Sequence, residues 1–336
     1  MTDVDHAAAL RRLLNGFQVS QAIHVAASLG IADLLSSGPC DTDALAAATD
    51  TDPGSLYRLL RALAAFGLFT ESDGRTFALT EMGQLLRSDV GESLAGWASF
   101  IGRPYYWNAW TYLGDSVRTG RNAFRTLHGV SAWEYRASHP EESAIFDRGM
   151  TSLTQLVTAA VVATYDFGRF RQIADIGGGS GTLLAAVLAA APSARGVLYD
   201  QPHVVATLDP ALRADEVAPR VEVMGGDFFT AVPGGCDAYL LKSVLHDWSD
   251  ADAMRILASC RAAATDTTTV LVVERVLVGP NEGPDGKLSD LNMLVGPGGQ
   301  ERTVEEFATL FAGAGFALAR TIPTGSTVTI LEATTQ

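Results

Sequence analysis

The sequence predicts an α/β fold: a mostly parallel sheet with helices on both faces, preceded by an all-helical part that ends in a small hairpin. Three observations predict it. The first third repeats apolar residues three and four positions apart, the period of an amphipathic helix. After Phe170, short β-rich runs alternate with alanine-rich helical stretches, the rhythm of a parallel sheet with helical crossovers. The tail breaks that rhythm with two β-rich runs around Pro323-Thr324-Gly325, a hairpin that adds one antiparallel strand.

The elements follow in order. Residues 13–35 read as an amphipathic helix. Asp41 or Thr42 can cap a short helix, and Asp52-Pro53 starts another that runs to about Phe66, with proline in the first turn. Gly67 stops it. Runs 68–70 and 76–79 flank the turn Ser72-Asp73-Gly74 as a hairpin. Helix, turn, helix, hairpin is a winged-helix pattern. Its would-be recognition helix offers only Arg58 and Arg61 among leucines and alanines, so the segment reads as an apolar scaffold for another subunit rather than a DNA reader. From 91 to 167 the chain stays helical but becomes dense in aromatics, which suit a core or the wall of a pocket for a flat ligand. Strands are expected at 172–176, 196–199, 220–224, 237–241, 268–276, 316–322 and 327–334.

Composition narrows the function. The 336 residues are 47% hydrophobic and 18% charged, enough apolar material for two domains with buried cores. A net charge of −14 argues against nucleic acid as a partner. No apolar run approaches the roughly 20 residues of a membrane span, and the N-terminus has no signal-peptide pattern. Cys40, Cys236 and Cys260 are scattered, as expected of reduced thiols in a cytoplasm. Neither they nor the six histidines show metal-site spacing, so no metal is expected. Lysine occurs only at Lys242 and Lys287 beside 22 arginines, which makes each lysine a less casual choice.

The cofactor motif comes next. Strand 172–176 runs into Gly177-Gly178-Gly179-Ser180-Gly181 and then a helix from Thr182. Such a turn lets a ligand approach backbone N–H groups at a helix start. A dinucleotide or S-adenosylmethionine would both use it. The dinucleotide pattern G-x-G-x-x-G would need glycine at 182, where threonine stands. Asp200 closes the second strand, placed to accept from ribose hydroxyls. Gly226-Asp227-Phe228 ends the third, where a carboxylate and an aromatic wall suit adenine. Lys242 ends the fourth.

The segments DIGGGSG, LYDQPHVV, GGDFF, LLKSVLHDWSD and GGQERTVEEF, in this order, resemble the two-domain S-adenosylmethionine-dependent O-methyltransferases of plant phenylpropanoid and bacterial aromatic-polyketide pathways. The resemblance covers essentially the whole chain. It implies a Rossmann-like methyltransferase sheet, parallel with one antiparallel strand, behind an N-terminal winged-helix domain that forms a homodimer. The expected division is 1–95 for dimerisation, 96–167 as a helical linker contributing to the substrate pocket, and 168–336 for cofactor binding and catalysis. The resemblance implies cofactor contacts at Gly177, Gly179, Asp200, Asp227, Phe228 and Lys242.

His246 lies just past a strand's C-terminal end, the edge where open α/β sheets bind ligands. By the resemblance it is the proton acceptor, flanked by Glu274 and Glu301. A phenol with pKa near 10 and an imidazole near 6.5 differ by about 3.5, roughly 5 kcal/mol uphill for full transfer. The two carboxylates would otherwise read as surface ion pairs with Arg275 or Arg302. Substrate walls are expected at Trp107, Phe146, Met150, Asn292 and Met293, the methionines lying against an aromatic acceptor. Asp290-x-Asn292 also suggests a metal-dependent catechol methyltransferase, which the winged helix disfavours.

The leading reading is methyl transfer to a hydroxyl of a small aromatic or polyketide-type molecule. Alternatives are a family member shifted to decarboxylation or hydroxylation, a nucleotide-dependent oxidoreductase, and a ligand-sensing winged-helix regulator.

Overall fold

The computed structural model describes residues 5–336; residues 1–4, with which the signal-peptide reading and the expected first domain begin, lie outside the described residues. The chain divides into two compact units, Met1–Trp107 with Glu141–Leu153, and Asn108–Pro140 with Thr154–Gln336. The segment 96–167 is therefore divided between them.

In the first unit, Asp5 caps α1 (His6–Leu14), and Asn15 separates it from α2 (Gly16–Ser28). Gly30, left-handed at φ +66°, precedes α3 (Ile31–Leu34). The single helix expected over 13–35 is thus three pieces, broken at Asn15 (φ −90°, ψ 1°) and at left-handed Gly30, where the i to i−4 ladder is interrupted. Asp41 caps α4 (Thr42–Thr49), and Asp52 with Pro53 starts α5 (Pro53–Ala65), as the sequence indicates. The hairpin pairs β2 (Phe69–Ser72) with β3 (Thr76–Leu79), and β1 (Cys40–Asp41), not foreseen, pairs with β3. Helices α6 (Glu81–Gln84), α7 (Ala95–Ile101) and α8 (Pro104–Trp107) complete the unit. Ile31, Leu45, Leu56, Leu60, Phe69 and Phe77 form its core.

The second unit opens with α9 (Leu113–Thr119), α10 (Ala123–His128) and α11 (Ala132–Ser138). The residues of α12 (Pro140–Thr164) are divided between the two units. Strands β4 (Gln172–Ile176), β5 (Arg195–Asp200), β6 (Val221–Gly225), β7 (Ala238–Lys242), β8 (Thr269–Glu274), β9 (Phe316–Pro323) and β10 (Thr329–Thr335) form one sheet of order β6-β5-β4-β7-β8-β10-β9. Strand β10 runs antiparallel to both β8 and β9, and the remaining pairings are parallel. One antiparallel strand is what the tail predicts.

Alternation along each strand feeds two cores. On β7, Tyr239 and Leu241 enter one cluster, Ala238 and Leu240 the other. On β8, Val270 and Val272 face one way, Leu271 and Val273 the other. Each such buried aliphatic contributes about 1.5–3 kcal/mol of transfer free energy. Helix α13 (Thr182–Ala190) packs in the second cluster, while α14 (Asp250–Ala263) and α16 (Val304–Gly313) pack in the first; α15 (Pro284–Val295) precedes α16. The helical stretches expected between all strands are absent after β5 and β6. Between β5 and β6 only the short turns Pro210–Arg213 and Ala218–Arg220 form, since Pro202, Pro210 and Pro219 remove donors and fix φ. Among the described residues no helix is long and apolar enough to cross a membrane.

Candidate active site

Strand order reverses between β4 and β7, where the C-terminal edge of a parallel sheet opens a crevice. The glycine loop leaves β4 there. Gly177, Gly179 and Gly181 all have φ between +61° and +86°, which L side chains avoid. A Cβ on Gly177 would lie 2.8 Å from Val244 and one on Gly181 would lie 2.3 Å from Leu212, whereas one on Gly179 would project into open space. The loop is therefore packed from below and open above, the form that suits a ligand approaching the backbone. The second glycine of the loop, Gly178, sits directly over buried Asp175.

Asp200, at the end of β5, accepts from Gly179 N–H at 2.8 Å and from Gln201 N–H at 2.7 Å. Burial raises its pKa, and these bonds oppose the rise. Beyond it Gln201, Pro202, Gly226 and Asp227 border a cavity of about 500 Å³. Asp227 caps its own turn by accepting from Phe229 N–H. Phe228 and Phe229 meet the Trp248 ring edge-on, and Trp133 stacks on Trp248 at 5.7 Å. Lys242 donates to Thr154 Oγ1 at 2.9 Å. Burial lowers its pKa to about 8, against the pull of Glu274 and Asp175. Asp175 moves the other way, pushed by burial and Asp200 up to about 7.

After Lys242 the left-handed Ser243, φ +53°, turns the chain into the short helix Leu245–Asp247. Glu274, the last residue of β8 and fully buried, accepts the N–H groups of Val244 and Leu245 at 2.9 Å each. Its second oxygen lies 3.5 Å from His246 Nδ1. Glu301 is closer, with Oε1 3.0 Å from the same nitrogen. An ionised carboxylate only accepts, so Nδ1 carries a proton and Nε2 is the ring nitrogen left to accept one. Nε2 has Asp247 Oδ1 at 3.7 Å. Burial works against the imidazolium, but Glu274, Asp247 and Glu301 outweigh it and push His246 up to about 10. Burial raises Glu274, while His246 and Ser289 hold Glu301 below the usual carboxylate range despite its burial.

The segment Gly299–Thr303 explains how Glu301 arrives. A Cβ on Gly299 would fall 2.1 Å from His246 O, so only glycine lets this segment pass so close. Gln300 N–H then donates to His246 O at 2.9 Å. Arg302 has no exposed surface and donates to Leu245 O, Trp248 O and Gln300 O, with Asp250 at 2.9 Å from Nε. It fastens both ends of the histidine turn. Thr303 caps α16 in a capping box with Glu306.

Comparison with known proteins decides the family. An O-methyltransferase domain model matches residues 110–317, and an O-methyltransferase dimerisation domain model matches residues 11–89. The chain belongs to the O-methyltransferase family. It is an S-adenosylmethionine-dependent methyltransferase. A phenazine O-methyltransferase of Lysobacter antibioticus is 43% identical over 96% of this chain and 95% of its own. An 8-amino-8-demethylriboflavin N,N-dimethyltransferase of Streptomyces davaonensis is 40% identical over 94% of this chain and 91% of its own. A solved O-methyltransferase from neocarzinostatin biosynthesis, in complex with S-adenosylmethionine and 2-hydroxy-5-methyl naphthoic acid, superposes with a TM-score of 0.80 at 35% identity, covering 95% of this chain and 96% of that one.

In the methyltransferase, Gly177, Gly179, Asp200 and Lys242 lie along the C-terminal edge of neighbouring strands. Phe228 adjoins Gly177, and His246, Glu274 and Glu301 form one cluster. The surface ion pairs considered for Glu274 and Glu301 do not form: both carboxylates are buried and bonded to the histidine turn. Asn292 and buried Met293 sit on α15 in the second unit; Trp107, Phe146 and Met150 belong to the first, where Phe146 meets Phe100 edge-on at 5.3 Å. Sequence reasoning missed Gly299 and the staple role of Arg302. The paired glycines before ERT are the signal that was available, since a Gly-Gly pair marks close backbone approach.

Proposed function

We propose that this methyltransferase methylates a hydroxyl of a small, flat aromatic natural product, with His246 as general base. The observation that carries the reading is the clamp on Nδ1: Glu301 at 3.0 Å and Glu274 at 3.5 Å fix the tautomer and leave Nε2 as the nitrogen that can accept a proton. The open glycine loop and Asp200 fit an adenosine-type ligand, with Gly177, Gly179, Asp200, Asp227, Phe228 and Lys242 holding it. When bound, S-adenosylmethionine supplies an electrophilic methyl group. The chain's residues orient the acceptor and take its proton. Glu274, Asp247 and Glu301 stabilise the imidazolium that forms as the acceptor loses its proton, and the same stabilisation keeps His246 protonated until the pH approaches about 10.

Trp107, Phe146, Met150, Asn292 and Met293 are proposed to line the acceptor site, with 96–167 contributing to it. The naphthoic acid in the neocarzinostatin enzyme supports an aromatic acceptor. The His246, Glu274 and Glu301 donors lie within 4.8 Å of one another and would suit a small cation by distance alone. We assign them to a proton instead, because Glu301 Oε1 lies at hydrogen-bond distance from His246 Nδ1 and engages that nitrogen as an N–H donor. The enzyme works as a cytoplasmic homodimer; Leu10, Leu13, Leu14 and Phe17, all more than half exposed, offer an apolar face on the first two helices. Labelled methyl transfer from S-adenosylmethionine to a panel of phenolic polyketides, naphthoates and hydroxyphenazines tests the reading. Ring-hydroxyl methylation is expected; transfer confined to amine acceptors would replace it with N-methylation.

A further inference from the structure

We propose that Ser289 is a positioning residue for the His246–Glu301 pair, fixing how tightly the histidine holds its proton. The proposal rests on the base assignment above. Ser289 lies on α15 and donates from Oγ to Glu301 Oε1 at 2.6 Å, the same oxygen that meets His246 Nδ1 at 3.0 Å. The next residue, Asp290, accepts the Glu301 backbone N–H at 2.9 Å. Two consecutive residues of one helix therefore hold Glu301 by side chain and main chain. Glu301 is 3% exposed and its other oxygen has no hydrogen-bond partner, so its side-chain hydrogen bonds all meet at this shared oxygen, with Arg275 adding charge attraction.

A hydroxyl donating to a buried carboxylate lowers its proton affinity. Without that bond, Glu301 draws more strongly on the imidazole N–H. Either the imidazolium is held more tightly, or the imidazolium gives its Nδ1 proton to Glu301 and keeps the one on Nε2. Both outcomes remove the lone pair that an acceptor hydroxyl needs. Ser289 also shares its helix face with Asn292 and Met293, three and four residues on, the expected acceptor contacts. Seating of the acceptor and basicity of the histidine thus meet on one turn of helix.

The test is an NMR titration of the His246 imidazole in the full-length enzyme saturated with S-adenosylhomocysteine, beside steady-state kinetics. In Ser289→Ala, His246 is expected to bind its proton roughly threefold or more tightly, the scale of one lost hydrogen bond. kcat at pH 7 should fall by the same factor, about threefold or more, with KM for S-adenosylmethionine unchanged. Ser289→Thr should restore both, and Ser289→Cys, a weaker donor of similar shape, should shift the same way as alanine by less. An unmoved titration in the alanine and cysteine variants overturns the proposal even if kcat falls, since that pattern means a structural role only. Failure of the base assignment shows separately, as retained activity in His246→Asn.

Discussion

Replacing His246 by asparagine is expected to lower kcat about 10²- to 10⁴-fold, the range that a positioned general base contributes. Asparagine places an N–H near the position of Nδ1, so Glu301 keeps a donor while the Nε2 base is lost. Calorimetric affinity for S-adenosylmethionine should stay within a few-fold of the parent, because the glycine loop, Asp200 and Lys242 are untouched. The variant should also alter stability in a defined pH window. The folded pKa of His246 is raised to about 10 from an ordinary 6.5. Its contribution is therefore complete below about pH 6.5 and disappears as pH rises through about 10. Urea melts should separate parent from variant most at pH 6 and least near pH 10. A gap that widens with pH would contradict the raised value.

Arg302→Met should destabilise the fold by about 1–3 kcal/mol, the scale for leaving a buried acceptor without its donor, since the charged partner Asp250 is exposed. The guanidinium has no exposed surface; its loss takes away the donor to Trp248 O and leaves Leu245 O with only the Trp248 N–H. Methionine fills similar volume, so the loss reports the hydrogen bonds more than a cavity. A lower urea midpoint and a fall in kcat beyond that of a distant surface variant are expected together, since the same bonds hold the histidine turn. A drop in midpoint with full kcat in the folded fraction would mean that the turn holds without its staple.

Much of this site was legible because its signals are local. The β4 run ending in Gly177-Gly178-Gly179, Asp200 at a strand end and Lys242 among arginines each announce themselves within a few residues. What was illegible depends on pairs far apart in the chain. Glu274 is marked only by its place in the apolar run VLVVERVLV, Glu301 carries no sequence mark of burial, and an adjacent arginine made each look like half of a surface pair. Only the fold brings Gly299 against His246 O and Ser289 beside Glu301. The helix over 13–35 was misread because apolar spacing continues through Asn15 and Gly30, while left-handed geometry at Gly30 ends the ladder. The missing crossover helices after Asp200 show the converse: Pro202, Pro210 and Pro219 were visible but weighed less than the alternation around them.

The central claim is that His246 removes the acceptor proton, and the pH dependence of single-turnover methyl transfer tests it most directly. Below its apparent pKa the parent rate should rise about tenfold per pH unit, as neutral His246 replaces imidazolium, and then level off. A bound sulfonium, being cationic, should place that plateau below pH 10. His246→Asn should lack the plateau and keep rising while the acceptor ionises in solvent, so that its defect shrinks at high pH. Parallel profiles, with the same defect at every pH, would contradict the account and leave His246 as a residue that only shapes the pocket.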